Sequence, residues 1–113
     1  MKMIIAVIKP HRLDEVLDAL YKENVNLVTV SEVMGHGRQK GITETYRGVK
    51  EMGNLLRKIR LDIAVNDGFV DKAIDAIKGS AHTGELGDGK IFVLDLEQCV
   101  RIRTGEVGGE AIG

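Results

Sequence analysis

A glycine-rich basic segment near residue 85 contains residue types that could bind a ligand. The run from Thr83 to Lys90 includes three glycines and ends on a lysine. Glycine lets the backbone turn tightly and present N–H groups to an anion, and Lys90 adds a positive charge. The segment is not a Walker phosphate loop, because no Ser or Thr follows the lysine and a predicted strand follows instead of a helix. Asp88 and Gly89 alone would indicate only a turn.

A pair of arginines near the end of the chain is a second candidate anion site. At strand spacing Arg101 and Arg103 lie on one face, with Ile102 on the other. Neighbouring guanidinium groups repel each other unless an anion or carboxylates neutralise them, and phosphate suits their forked donors. The alternative is a pair of solvated surface arginines.

The segment from Gly35 to Gly41 again combines small and basic residues. Within it, Gln39 offers an amide oxygen that could ligate a hard cation such as Mg²⁺ beside a phosphate. Each of the three clusters is a weak signal by itself. Together, on a chain whose net charge is only -1, they indicate a polyphosphate ligand.

Composition and missing motifs exclude several other classes of protein. The net charge argues against a nucleic-acid binder. No apolar run approaches the length of a membrane span. The lone Cys99 fits a cytoplasmic protein, since it can form no internal disulfide. There is no His/Cys cluster with zinc spacing and no nucleophile beside a base, so a sensor is favoured over an enzyme.

The hydrophobic pattern predicts two similar halves that would position these clusters. Apolar runs and alternation predict strands, and apolar residues at helical spacing predict helices. Asn66 and Asp67 are expected to cap the second helix, and Gly79 to end it. The elements are strand 3–8, helix 11–23, strand 25–34, strand 59–65, a helix with the stripe Val70, Ala73, Ile74 and Ile77, and strand 90–96. This βαβ–βαβ order predicts an α+β, ferredoxin-like fold.

Two features do not fit a simple monomer of that fold. Strands 3–8 and 91–94 are apolar on both faces, whereas two helices can cover only one face of the sheet. A second copy of the chain is therefore expected on the other face, because the glycine-rich C-terminal tail would cover it poorly. The link formed by residues 37–55 shows neither period, and it is either a floppy insertion or a binding loop on a rigid scaffold.

Several motifs together resemble the PII signal-transduction family over residues 1 to 106. The block from Gly87 to Phe92 matches the family's C-terminal signature, and Lys58 matches as well. The other matching segments are Gly35 to Gly41, Tyr46 to Gly48, and Arg101 to Gly105. The resemblance implies one domain, 1–113, that assembles as a homotrimer. Its loops would be the T-loop (37–55), the B-loop (82–89) and the C-terminal loop (101–113).

The resemblance further implies that ATP and ADP compete for clefts between subunits. The implied phosphate contacts are Lys90, Arg101 and Arg103, and Asp62 stands near the adenine where the family commonly has Glu. One subunit would supply Arg38 and residues 87–90, and its neighbour Thr29, Arg101 and Arg103. The full implied nucleotide set is Thr29, Gly35, Gly37, Arg38, Gln39, Asp62, Ala64, Gly87, Asp88, Gly89, Lys90, Arg101 and Arg103.

By the same resemblance, 2-oxoglutarate binds only with Mg-ATP. Gln39 would ligate the metal, and Lys58 would pair with a carboxylate of 2-oxoglutarate. The implied 2-oxoglutarate set is Gln39, Lys40, Gly41, Lys58 and Gly87.

The T-loop of such a protein docks onto a partner, here through Tyr46, Arg47 and Gly48. The expected partner is an ammonium transporter, which would recruit this cytoplasmic protein reversibly to the membrane. Nitrogenase, glutamine synthetase or a different transporter are alternative targets. Glu51 stands where some relatives carry the uridylylated tyrosine, so that modification site is absent. Two other readings are a slow ATPase and a structural module of the divalent-cation tolerance type.

Overall fold

The chain forms a four-stranded antiparallel sheet with two longer helices packed on one face, as a computed structural model shows for residues 1–36 and 55–113. The strands are β1 (Lys2–Ile8), β2 (Thr29–His36), β3 (Leu55–Val65) and β4 (Lys90–Asp95), and the helices are α1 (Leu13–Lys22), α2 (Val70–Ala81) and the short α3 (Gly109–Ile112). The strand order in the sheet is β2-β3-β1-β4. This arrangement confirms the predicted α+β, ferredoxin-like fold and its βαβ–βαβ order.

The core lies between the helices and one face of the sheet. Ile4, Ala6 and Ile8 alternate along β1 and are buried, and each stands opposite a buried residue of β3. The helices contribute Val16 and Leu20 from α1 and Ala73 and Ile77 from α2. Each fully buried Leu or Ile side chain stabilises the fold by about 1.5–3 kcal/mol relative to exposure. Residues four apart lie on the same side of a helix. Val16 and Leu20 in α1, and Ala73 and Ile77 in α2, therefore mark the side of each helix that faces the sheet.

The opposite face of the sheet is apolar and uncovered within one chain. Ile5 stands directly across from Phe92, and Met3 from Leu94. Phe92 and Leu94 each keep 49% of their surface exposed. The C-terminal segment does not cover them, because it packs beside Asn66, whose side-chain amide donates to the Gly109 carbonyl (3.1 Å).

The second and third strands along the chain, β2 and β3, begin at other residues than the sequence predicts. β2 begins at Thr29 and not at residue 25, and β3 begins at Leu55 and not at residue 59. The two strands pair with each other from Thr29 opposite Asp62 to His36 opposite Leu55. Residues 55–58 show no alternation of apolar and polar side chains that would indicate a strand. Only their pairing with residues 33–36 of β2 identifies them as part of β3.

The second helix departs from the prediction at both ends. It continues through Gly79 to Ala81, because Ala81 is buried and because the Arg12 guanidinium donates to the Ser80 carbonyl (2.9 and 2.6 Å) near its C-terminus. A positive group bonded to a terminal carbonyl stabilises the last turn. At the start, the predicted side-chain caps are absent: a 3-10 turn (Asp67–Phe69) precedes α2, and Asp67 accepts from the Met1 amine (2.9 Å).

Gly89 lies very close to the backbone of β1, at the point where β4 begins. Its φ is +103°, and a Cβ added to it would lie 1.7 Å from the Val7 carbonyl oxygen. Side chains rarely adopt this backbone region, and the obstacle is main chain that cannot rotate away. Only glycine therefore allows the preceding loop to enter β4 in register with β1.

We expect Gly89→Ala to lower the free energy of unfolding by about 3 kcal/mol or more, through strain and steric clash. Gly79→Ala is the matched control, since nothing lies within 4 Å of its added Cβ. It should raise stability by about 0.5–1 kcal/mol, because alanine is the better helix former. Urea denaturation of both variants checks this, and equal effects of the two substitutions would contradict it.

Candidate functional site

A cleft of about 650 Å³ opens at the ends of β2 and β3, against the loop that precedes β4. The loop contributes residues 85–90, β2 contributes Gly35 and His36, and β3 contributes Leu56 and Lys58. The end of β1 adds Val7 to the lining. The cleft brings together six residues that the sequence predicts for nucleotide or 2-oxoglutarate: Gly35, Lys58, Gly87, Asp88, Gly89 and Lys90.

The loop before β4 is held in shape by one carboxylate that bonds to its own backbone. Asp88 Oδ2 accepts from the backbone N–H of Thr83 (2.8 Å) and of Gly84 (2.9 Å). The Thr83 hydroxyl also donates to Asp88, and it accepts from the Glu85 N–H (3.2 Å). The loop glycines adopt positive φ values that close this turn: 90° at Gly84, 94° at Gly87 and 103° at Gly89. The Asp88 side chain therefore serves the loop itself, and any ligand contact of this residue would use its backbone.

Lys9 is a member of this network that the sequence interpretation missed. Its Nζ lies 3.2 Å from Asp88 Oδ1 and 3.1 Å from Thr83 Oγ1. The hydrogen bonds from Thr83, then those from Gly84 and Lys9, hold the pKa of Asp88 well below its usual range. A lysine at the very end of a buried strand, just before Pro10, is the signal that could have identified it.

Lys58 crosses the cleft from β3 to the loop. Its Nζ donates to the Gly87 carbonyl (2.8 Å). Burial lowers the pKa of Lys58, and the nearby positive charge of Lys9 lowers it further, while Asp88 opposes that shift. Gly35 on β2 leaves room for this side chain, because a Cβ added there would lie 3.1 Å from Lys58 Cγ. An anion bound in the cleft would favour the charged form of Lys58.

Three predicted nucleotide residues lie on the uncovered sheet face and not in this cleft. Thr29 on β2 stands opposite Asp62 on β3. The Asp62 carboxylate pairs with Arg60 at 3.0 Å on the same strand. Ala64 stands opposite Met3. Within one chain, Thr29, Asp62 and Ala64 are therefore separate from the loop before β4 and from Lys90 at the start of β4.

The two arginines near the C-terminus are arranged differently from the prediction. Residues 102–104 form a turn, so the expected strand with both arginines on one face is wrong. The turn is closed because the Arg101 N–H donates to the Glu106 carbonyl (2.9 Å) and the Gly105 N–H to the Arg101 carbonyl (2.7 Å). The Arg101 guanidinium binds the Glu106 carboxylate at 2.5 Å, whereas Arg103 is exposed. Their role toward a nucleotide stays a prediction.

The remaining predicted residues lie outside the part of the chain that the structure describes. These are Gly37, Arg38, Gln39, Lys40, Gly41, Tyr46, Arg47, Gly48 and Glu51. The metal ligand, most of the T-loop and the partner contacts predicted there stay predictions.

The described residues contain neither a cluster of metal-ligating side chains nor a membrane-spanning helix. Across residues 1–36 and 55–113, no three His, Cys, Asp or Glu side chains lie together as metal ligands would. No helix in these ranges is long and apolar enough to cross a membrane.

Comparison with known proteins agrees with the resemblance of the motifs. A family model described as nitrogen regulatory protein P-II matches residues 1–106. This chain belongs to the P-II family. A protein of that name from Azospirillum brasilense is 52% identical over 112 residues, which cover 99% of this chain and 100% of the relative. P-II proteins of Rhodospirillum rubrum and Rhizobium etli are 50% and 51% identical over the same shares. The chain is therefore a nitrogen regulatory protein of this signal-transduction family.

The lowered pKa of Asp88 makes a prediction about acid stability. Its carboxylate stays ionised in the folded P-II chain at pH values where the unfolded chain binds a proton, near pH 4. The stabilisation it provides is thus fully present above about pH 5 and is lost as the pH falls toward the folded-state pKa. We expect the stability advantage of the wild type over Asp88→Asn to shrink on acidification. Urea denaturation of both proteins between about pH 6 and about pH 3 measures the difference in their free energies of unfolding. A difference that stays constant over this range would contradict the assignment.

Proposed function

We propose that this P-II protein is a homotrimeric, non-catalytic sensor of adenine nucleotide and 2-oxoglutarate. ATP and ADP would compete for the cleft, and 2-oxoglutarate would bind there only with Mg-ATP. The T-loop (37–55) would then dock onto a partner, for which we propose an ammonium transporter. The observation that carries this proposal is the glycine-rich loop along a cleft of about 650 Å³, with Lys58 and Lys90 in its lining.

The charge arrangement of the cleft supports an anionic ligand. Lys58 and Lys90 line it, and the Asp88 carboxylate next to them is already neutralised by Lys9 and by hydrogen bonds within the loop. A phosphate group would therefore meet two cations without meeting an unscreened Asp88. With its acceptor positions used in this way, Asp88 is also poorly suited to act as a base for hydrolysis.

A neighbouring subunit supplies the residues that this cleft lacks in the proposed assembly. Thr29, Asp62 and Ala64 lie on the apolar open face, and Arg103 is exposed at the C-terminal turn. If three open faces met in a trimer, burial of Phe92 and Leu94 would stabilise it by the hydrophobic effect. The same assembly would place one chain's open-face edge near another chain's cleft.

The trimer is tested by the mass in solution. Light scattering at micromolar concentration should give three times the 12.4 kDa of one chain. Phe92→Asp puts a charge on the apolar part of the open face and should release monomers, whereas Tyr21→Asp on the exposed face of α1 should leave the mass unchanged. A monomeric wild type would contradict the proposal.

Nucleotide binding is tested by calorimetry with Mg-ATP. Arg103→Ala should weaken ATP by ~1.5–3 kcal/mol if the guanidinium makes a charge-assisted contact with phosphate. Lys72→Ala removes a positive charge from the exposed face of α2 and should have no effect. In the same calorimeter, 2-oxoglutarate should give heat with Mg-ATP and none with ADP or with ATP and EDTA. Unchanged ATP affinity would make Arg103 a solvated surface residue, and 2-oxoglutarate binding with ADP would indicate a different effector.

The partner is tested by a pull-down from native membranes in the presence of ADP. An arginine that enters a desolvated pocket is a typical binding hot spot, worth ~2 kcal/mol or more on truncation. Wild type should therefore retain an ammonium transporter and Arg47→Ala should lose it. If both or neither retain it, the T-loop serves another target, such as nitrogenase, glutamine synthetase or a different transporter. Recruitment from the cytoplasm to the membrane would occur only through such a partner.

A further inference from the structure

Lys9 occupies an unusual position for a lysine. Within residues 1–36 and 55–113 it is the one polar or charged residue that is buried, with 9% of its surface exposed. Burying a cation is costly unless it is paired and hydrogen-bonded. A lysine kept at the end of the central strand β1 must therefore be compensated there by the groups it contacts.

The contacts of Lys9 complete a closed network. The Thr83 hydroxyl has one hydrogen and two lone pairs, and it uses all of them: it donates to Asp88 and accepts from Lys9 and from the Glu85 N–H. The Asp88 carboxylate accepts from the Thr83 hydroxyl, from two backbone N–H groups and from Lys9. The Thr83 hydroxyl and the Asp88 carboxylate are thus satisfied within the network, and Lys9 uses two of its three donors there. This makes the network a rigid support and leaves Asp88 no acceptor for a ligand cation.

The network lies behind the wall of the cleft. Val7, two residues before Lys9, lines the cleft, and so do residues 85–90 of the loop. The described lining does not include Lys9 itself. Lys9 can therefore act on a ligand only through the loop and through its charge.

We infer that Lys9 is the positioning residue of this cleft. It holds Asp88 and Thr83 so that the loop that lines the cleft keeps its shape. This inference rests on the proposed function for the identity of the ligand, but the loop-positioning part of it does not need that function.

Three variants test the inference. Lys9→Met keeps an unbranched apolar side chain and removes the charge, and Lys9→Arg keeps the charge. Lys22→Met removes a lysine that is paired only with Asp18 on the exposed face of α1. The measurements are Mg-ATP affinity by calorimetry and amide hydrogen exchange by NMR, which compares Thr83 and Gly84 with amides of β1 and β3.

Lys9→Met should bind ATP about tenfold more weakly or worse, because the loop that lines the cleft loses one charge-assisted contact that holds it in shape. Its Thr83 and Gly84 amides should exchange faster while the amides of the sheet stay protected, which a general loss of stability would not produce. Lys9→Arg should restore most of the affinity and of the loop protection, and Lys22→Met should match the wild type.

A double variant keeps the test decisive if Lys9→Met does not fold. Lys9→Met combined with Asp88→Asn leaves no unpaired buried carboxylate, so it should fold. Its Thr83 and Gly84 amides should exchange faster and ATP should bind more weakly than in Asp88→Asn alone, because Lys9 still bonds to Thr83 in that single variant. Loop protection and affinity equal to the wild type in Lys9→Met, or equal to Asp88→Asn in the double variant, would overturn the inference. If wild type itself binds no ATP, the proposed function fails, and the exchange at Thr83 and Gly84 alone decides whether Lys9 positions the loop.

Discussion

The pairing of β1 with β3 on one side and β4 on the other is the constraint on which the rest of this structure depends. Val7 stands opposite Arg60 and Lys90, and Ile8 opposite Ile59. This register points Ile4, Ala6 and Ile8 into the core under both helices. It also ends β1 beneath the loop that precedes β4, so that Lys9 reaches Thr83, 74 residues away in sequence. The packing of the core and the geometry of the cleft therefore follow from one set of strand pairs.

Two lysines, Lys58 in the lining of the cleft and Lys9 behind it, have different roles because their surroundings differ. Lys9 is paired with a carboxylate and is buried, whereas Lys58 donates to the Gly87 carbonyl and has a lowered pKa. An anion bound in the cleft would favour the charged form of Lys58. Binding of an anion would relieve the repulsion between the two lysines, which is a physical basis for coupling ligand binding to the strands that lead into the T-loop.

The one-sided helix cover has a second consequence for this P-II protein. A four-stranded sheet offers two faces, and its two longer helices bury only the face of Ile4 and Ile63. The other face carries apolar side chains such as Phe92 next to polar ones such as Asp62 and Thr29. The apolar residues lie on β1 and β4, and the polar residues lie beside them on β3 and β2. An apolar surface bordered by polar residues is typical of an interface, and here the polar part contains residues expected to bind nucleotide. Assembly and ligand binding would then depend on the same surface.

The sequence by itself determined the order of the elements, the helix-facing core and the P-II family, because these depend on local periodicity and on short glycine-rich motifs. It also identified six residues of the cleft, from Gly35 to Lys90. Tertiary contacts decided the rest. They placed Lys9 under the loop, turned Asp88 inward, paired Arg101 with Glu106 and carried α2 past Gly79. Each of these outcomes depends on packing or on a partner group that only the folded chain brings into contact. A local pattern can single out a residue such as Lys9, at the end of a buried strand, but it does not show which group that residue contacts.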